Sequence, residues 1–343
     1  MKHREYGMSK NNEGAVGQPG TNRQRRRLVQ AIASVTIALP FGAAAQGIST
    51  RPIRFLLAQT AATTPDVIAR LIAPRFQARW NQPFIVENRG GAAGAIGMEA
   101  LAKSAPDGHT VQVFPSSILT TPIFFPNAPF RIPESFTPIS MVCENNFALV
   151  VNSKIPVNNL REFLAFVKAN PGVNYGTPGN GTSHHLCMEA LKLMAGLQMT
   201  HIPYKGSAPA FTDLMSGQIA TMFMPIHVAM GMQKDGRVRV LGGSMRERSP
   251  LFPDLPSIHE QGVAGFNGES WFGFWGPAGM PADVVARFGA ELRAILAEPE
   301  MKDAFAKQGI SPRTSTPEGL LQVCRNQLES YVKLIRAANI KGD

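Results

Sequence analysis

Cysteine is scarce: three residues, Cys143, Cys187 and Cys324, are scattered over 343 positions. An odd, widely spaced set excludes a disulfide-stapled scaffold and offers no metal-site spacing. Cys187 falls on the apolar face of an expected helix and reads as a buried thiol; one disulfide between two of the three would suit an oxidising compartment. Long apolar runs are also lacking. Leu28 to Phe41 comes nearest, but Gln30, Ser34, Thr36 and Pro40 interrupt it and it is short for a membrane span. No Gly-x-Ser-x-Gly elbow is present. Ser183 beside His184 and His185 makes no triad by adjacency, because the hydroxyl and imidazole must face each other. Clustered charge is missing too. The chain carries +10, of which +5 lies in its first 45 residues, and the remaining basic residues form no stripe for nucleic acid. A mildly basic surface accommodates anionic ligands without requiring them.

The chain start carries an address. Residues Met1 to Asn22 are polar and glycine-rich, followed by Arg23-Gln24-Arg25-Arg26-Arg27, the apolar run, and Gly42-Ala43-Ala44-Ala45. A basic region, a short apolar region and an Ala-x-Ala ending make a secretory leader over residues 1–45, cleaved after Ala45, which places the protein in the periplasm. The paired arginines also fit twin-arginine export. A retained N-terminal anchor is the alternative.

Beyond the leader, strand and helix patterns alternate. Strands are expected at Pro52–Leu57, Pro83–Glu87, His109–Phe114 and Phe147–Val151, and helices from Pro65 and over Ala95–Ser104, with a loop-rich stretch from Ile123 to Pro138. This alternation predicts an α/β fold with mainly parallel sheets covered on both faces, and the length predicts two lobes. Ligands of such sheets sit at the carboxyl ends of the strands.

Tyr175 to Phe223 holds two successive units of strand, small-residue loop and amphipathic helix. The first loop is Gly176-Thr177-Pro178-Gly179-Asn180-Gly181-Thr182-Ser183, and its helix places Cys187, Ala190, Leu191 and Met194 on one face. The second runs Ile202-Pro203-Tyr204-Lys205-Gly206-Ser207 into a helix packing on Ala208, Phe211, Leu214 and Met215. Thr182, Ser183 and Ser207 are natural N-caps, and Pro209 suits a first turn. Two helix N-termini behind glycine-rich loops favour a small carboxylate. The same features equally describe two ordinary, well-capped α/β units.

Several segments together resemble the substrate-binding proteins of tripartite tricarboxylate transporters, the Bug family. They are Arg51-Pro52-Ile53-Arg54; Val86-Glu87-Asn88-Arg89-Gly90-Gly91-Ala92-Ala93-Gly94-Ala95-Ile96-Gly97; Ala105-Pro106-Asp107-Gly108-His109-Thr110; His201-Ile202-Pro203-Tyr204-Lys205-Gly206; and Leu255 to Gly262, Trp271-Phe272-Gly273 and Pro277 to Pro281. The resemblance implies a two-lobed periplasmic-binding-protein (Venus-flytrap, type II-like) fold and no catalysis. It implies lobes at 46–146 plus 265–343 and at 147–264. The implied partners are a small carboxylate in the interlobe cleft and the membrane subunits of a tripartite transporter; a monomer is expected, with no cofactor, metal or nucleic acid. The implied ligand contacts in the first lobe are Gln59, Ala62, Thr63, Thr64, Asp66, Ser116 and Ser117. In the second they are Thr177, Asn180, Gly181, Thr182, Ser183, Tyr204, Ser207, Met224 and Pro225.

Two departures from the family pattern bear on the ligand. Where relatives carry an aromatic and glycine-rich loop after the first strand, this chain has Gln59 and Ala62-Thr63-Thr64, with Asp66 retained. Hydroxyl donors from Thr63 and Thr64 are expected to replace the backbone cradle. Where many relatives carry an aspartate, this chain has Met224-Pro225, which makes that wall more apolar. The ligand expected is less cationic and more apolar or aromatic than an acidic amino acid.

Other patterns are weaker. Gly91 to Gly97 lacks the second glycine of a dinucleotide loop, where Ala92 stands. His184-His185 with Glu189 could suggest zinc, but no second ligand cluster accompanies them. Trp271, Phe272, Phe274 and Trp275 read as core more than as a pocket. A receptor reporting to a sensor kinase, and a secreted α/β hydrolase, are the rival functions.

Overall fold

The computed structural model describes residues 50–59, 61, 63–91 and 94–340, so the leader expected over 1–45 and the contact expected at Ala62 lie outside the described residues. Among the described residues, eleven strands form two sheets. The first contains β1 (Ile53–Leu57), β2 (Phe84–Asn88), β3 (Thr110–Pro115), β4 (Phe136–Asn145), β10 (Ser270–Pro277) and β11 (Ile310–Pro312), in the order β11-β4-β10-β3-β1-β2. The second contains β5 (Phe147–Asn152), β6 (Val173–Thr177), β7 (Met199–Pro203), β8 (Thr221–Pro225) and β9 (Val238–Gly243), in the order β7-β6-β8-β5-β9.

Both faces of each sheet are covered by helices, which is why the strands read as continuous apolar runs. Ile53, Phe55 and Leu57 of β1 face helices α1 (Thr64–Trp80), α8 (Ala282–Ala297) and α9 (Pro299–Lys307), while Leu56 and Ala58 face α2 (Ala95–Ala102) and α10 (Pro317–Ala337). On the first of these faces Phe76 and Phe84 stack at 5.0 Å and Phe55 and Phe274 at 5.5 Å. In the second sheet Phe147, Leu149 and Val151 pack towards α4 (Leu160–Ala169) and α5 (Ser183–Ala195). Ala148 and Val150 pack towards α6 (Ser207–Ser216) and α7 (Ile226–Lys234). The aromatics of β10 are core, as their apolarity implies: Trp271, Phe272, Phe274 and Trp275 are all buried. The three cysteines are buried thiols, and burial pushes those of Cys187 and Cys324 up to about 12.

The sheets are mixed rather than mainly parallel. Four strand pairings are parallel and five antiparallel. A helical crossover returns the chain in the same direction, which makes β1, β2 and β3 parallel, and likewise β6, β7 and β8. A strand entering from the other sheet arrives with the opposite sense. β4 runs into β5 with Asn146 alone between them, and each pairs antiparallel with its neighbours. β4 itself begins inside the stretch expected to be loop, because its opening Phe136-Thr137-Pro138 carries turn-like residues that β10 nevertheless pairs.

The return crossing runs beside the outgoing one. Ser244 N–H donates to Phe147 O at 2.9 Å, Phe147 N–H donates to Ser244 Oγ at 3.2 Å, and Gly268 N–H donates to Ser244 O at 2.7 Å. A Cβ on Gly268 would lie 2.7 Å from Cys187 Sγ, so this position leaves no room for a side chain. Asn146 is fixed at both ends: its carbonyl accepts from Ile226 N–H at 3.0 Å and its Nδ2 donates to Ser249 Oγ at 3.3 Å.

Candidate ligand-binding site

The parallel strands of both sheets end in loops that open helices: β1 into α1, β2 into α2, β6 into α5 and β7 into α6. Free N–H groups at four helix starts, reinforced by the helix dipoles, therefore collect at the carboxyl ends of the strands. In the first sheet these loops touch one another. A Cβ on Gly94, whose φ is +94°, would lie 2.6 Å from Ile118 Cδ1 and 3.5 Å from Ala58 Cβ, and one on Gly97 would lie 2.5 Å from Ala58 Cα. Ile118 belongs to the 3-10 turn Ser116–Thr120, which leads into α3 (Thr121–Phe124).

That turn reaches the second sheet. Gly181, φ +70°, lies so close to Phe124 that a Cβ would fall 2.6 Å from Cε2, with Thr120 Oγ1 at 3.3 Å. Nearby, Ser270 Oγ donates to Ser183 Oγ at 3.3 Å, and Ser116 Oγ shares a hydrogen bond with Tyr331 Oη of α10 at 3.2 Å. The loop edges of the two sheets thus meet along a line running from Phe124 and Gly181 to the hydroxyls of Ser116, Ser183, Ser270 and Tyr331. Replacing Tyr331 by phenylalanine leaves Ser116 without this partner in a buried setting. We expect a loss of about 1 kcal/mol, read from urea denaturation.

The expected ligand residues divide into those at the meeting edges and those committed elsewhere. Gly181 and Thr182 lie at the junction, where Thr182 caps α5 by accepting from His185 N–H and donates to Gly179 O at 2.8 Å. Asn180 and Ser117 are half-buried in the same loops. Gln59 stands at the end of β1, its carbonyl accepting from Asn88 Nδ2 at 3.2 Å and its Oε1 buried without a partner. Thr63 precedes α1 in extended conformation and does not cap it with its side chain; Thr64 is the first helical residue.

Others are tied into the frame. Asp66, 3 % exposed, accepts from Arg70 Nε at 3.0 Å, and Arg70 reaches Asn88 Oδ1 at 3.4 Å. Through Arg70 the pair links α1 to Asn88 of β2. Tyr204 donates through Oη to Asp213 Oδ2 at 2.6 Å, which ties the β7–α6 loop to its own helix. Ser116, Thr177 and Ser183 are buried and hydrogen-bonded within the protein. Gly206 occupies the N-cap of α6 at φ +113°, so Ser207 falls one residue inside the helix and not at the cap. Ser183 likewise opens α5 behind the Thr182 cap.

Met224 requires a correction. It is 0 % exposed, packed with Ala148, Val150 and Ile226 in the core of the second sheet, so it forms no cleft wall. Strand side chains alternate, and on β8 the inward set on that face includes Met222 and Met224. Pro225, half-buried, sits at the N-cap of α7. The expected helix faces shift too. Met194 is 44 % exposed and Ala208 is exposed, whereas Leu186, Met188 and Ala210 are buried, because α5 touches both its own sheet and α10.

A buried polar stack lies directly behind the β6–α5 loop. Tyr175 and His201 rings stack at 4.9 Å, and His201 and His185 at 4.0 Å. Thr177 Oγ1 and His201 Nε2 lie 2.6 Å apart. Glu189 accepts from Tyr175 Oη and from Lys192 Nζ, the latter at 2.6 Å. Burial, with the neighbouring His201 and Lys192, pushes the His185 pKa down to about 3, and burial alone pushes His184 down to about 4. Both ring nitrogens of His184 are shielded and unpartnered, its ring 4.3 Å from that of Phe147.

Sequence reasoning missed Thr120, Phe124, His201 and Tyr331, and it read His185 with Glu189 only as a weak zinc pattern. One signal was available for His201: parallel pairing of β6 with β7 sets it opposite Tyr175 in register. Two open hollows, about 610 Å³ beside Arg70, Asn81 and Phe84 and about 580 Å³ beside Val285, Arg293 and Pro317, lie on the outer layers of the first sheet and contain none of the loop residues above. Among the described residues, no His, Cys, Asp and Glu group is arranged to hold a metal ion, and no helix is long and apolar enough to cross a membrane.

Two helix-covered sheets crossed twice by the chain, with ligand-type loops facing each other, define the two-lobed periplasmic-binding-protein class. Residues 68–340 match the tripartite tricarboxylate transporter family receptor, TctC, and the chain belongs to that family. It is similar to the protein BugT of Bordetella pertussis, 31% identical over 90% of this chain and 95% of that one. Among solved structures it resembles R. palustris Rpa4515 with adipate, with a TM-score of 0.79 at 27% identity, covering 86% of this chain and 99% of that one. It also resembles the periplasmic binding protein BugD, with a TM-score of 0.76 at 29% identity, covering 86% of this chain and 100% of that one.

Proposed function

We propose that this protein is a periplasmic solute receptor that closes on a small carboxylate and delivers it to the membrane subunits of a tripartite tricarboxylate-type transporter. The observation that carries this reading is the meeting of the β6–α5 loop with the 3-10 turn and α3 at Gly181, Thr120 and Phe124. There the loop that opens α5, whose helix N-terminus favours an anion, lies against the facing edge of the first sheet. Rpa4515, whose structure holds adipate, supports a carboxylate as the chemical class.

The lobes of this receptor are residues 46–146 with 265–343, and 147–264, hinged at Asn146 and at the Ser244–Gly268 crossing. Its leader is removed near Ala45, and it acts as a monomer. With Met224 in the core, Phe124 takes over as the apolar wall, and the body of the ligand is aliphatic or aromatic. Binding is carried by closure of the hinge, with no catalytic step.

Thermal unfolding of the chain from Gln46, measured against di- and tricarboxylates, amino acids, aromatic acids and neutral controls, tests this. A binding acid at a hundredfold excess over its Kd adds about 2.7 kcal/mol of stability and raises the melting temperature. Stabilisation by an acidic amino acid in preference to adipate and aromatic acids would overturn the expected ligand chemistry. No response to any acid would overturn carboxylate capture.

A further inference from the structure

The stack behind the loop has a direction. Gly181 N–H donates to His185 Nδ1 at 3.2 Å, so Nδ1 must present a lone pair and the ring proton resides on Nε2. That Nε2 faces Glu189 Oε1 at 3.9 Å, and Glu189 is itself held by Tyr175 and Lys192. A carboxylate beside Nε2 favours this tautomer, as a second-layer acceptor does for a histidine that uses its other nitrogen. At the opposite end of the loop, Thr177 Oγ1 meets His201 Nε2, and the His201 ring lies against that of His185. Two stacked imidazoles thus grip the loop where it leaves β6 and where it enters α5. Between those grips lie Gly179, with φ +146°, and Gly181, with φ +70°, conformations that give the loop little stiffness of its own.

We infer that His185 and His201 are positioning residues of the receptor: His185, backed by His201, Glu189 and Lys192, fixes the Gly181 amide and with it the ligand-facing loop in its receiving shape. Neither imidazole needs to touch the ligand. The inference rests on the receptor reading for its functional consequence but not for its geometry. Burial keeps His185 uncharged throughout the neutral range, so the acceptor for Gly181 N–H persists there.

Two substitutions separate this role from simple packing. His185→Asn keeps an acceptor, Oδ1, one bond from Cγ, but loses the ring that stacks on His201. His185→Phe keeps the ring and loses the acceptor. Amide exchange of Gly181, followed by NMR without ligand, is expected to accelerate at least roughly tenfold in the Phe variant and to change little in the Asn variant. Adipate titrated into the same proteins is expected to bind roughly tenfold more weakly to the Phe variant, with the Asn variant close to wild type. Wild-type protection of Gly181 in the Phe variant, or a ranking in which Phe binds better than Asn, overturns the inference. Long-range proton–nitrogen spectra of the wild type provide a check independent of variant folding: the expected pattern is an unprotonated Nδ1 and a protonated Nε2 on His185, and a proton on Nδ1 overturns the inference. If wild type takes up no adipate, the receptor reading for that acid falls, while the exchange and tautomer results still decide the role of His185.

Discussion

Gly181→Ala is expected to weaken carboxylate binding roughly ten- to a hundredfold while leaving a folded protein. The added Cβ would fall 2.6 Å and 3.0 Å from two atoms of the Phe124 ring, and the conflict exists only where the two loop edges meet. In the proposed hinge motion, opening the lobes relieves it, so the penalty falls on the closed, ligand-holding state. A second, smaller cost of about 1 kcal/mol comes from placing an L side chain at φ +70° and burdens open and closed states alike. Phe124→Ala separates the two. In the double variant the clash is absent, and affinity should return to within about threefold of Phe124→Ala alone, whereas the backbone cost should remain in the melting temperature. Equal losses with and without the phenylalanine would mean that Gly181 and Phe124 do not meet when ligand is held.

Acidification is expected to destabilise the fold strongly through buried His185 and through His184, whose ring nitrogens are shielded from water. His184 and His185 have pKa values pushed down to about 4 and about 3, chiefly by burial, against an ordinary value of 6.5. The sign follows from proton counting. Between pH 6.5 and those lower values the unfolded chain binds protons that the folded chain does not, so stability is full above pH 6.5 and falls as pH falls. At pH 4.5 the two together should cost about 5 kcal/mol relative to pH 7.5. Carboxylates titrate in the same range, so the informative quantity is the difference between proteins. His184→Phe removes one imidazole whose nitrogens have no partner, and should reduce the pH 7.5-to-4.5 loss by roughly 2 kcal/mol in urea denaturation. An unchanged loss would mean that His184 becomes charged in the folded protein without penalty.

Much of this was legible because local rules and the fold agree. The Pro65 helix start, the Thr182 cap and the apolar β10 all appear where residue chemistry puts them. Length alone suggested two lobes, and the family motifs added the binding-protein class, which no periodicity contains. What escaped depended on contacts distant in sequence. Thr177 and His201 are 24 residues apart, Ser116 and Tyr331 are 215 apart, and no local spacing links either pair. Met224 was misplaced for a different reason. Its expected place came from the family position where many relatives carry an aspartate, and with both faces of the sheet covered, no local pattern in β8 says which of its side chains point into the core. Asp66 survives from the family pattern, and Arg70 four residues later pairs with its carboxylate, a contact that helix spacing permits.

Calorimetric titration of the chain from Gln46 with straight-chain dicarboxylates, adipate among them, tests carboxylate capture most directly. The expected result is saturable one-to-one binding of at least one acid, with a negative heat-capacity change as the apolar wall around Phe124 is covered, and marked weakening by Gly181→Ala. Absence of binding across the series and across aromatic acids, in a protein that melts cooperatively, would contradict the receptor reading.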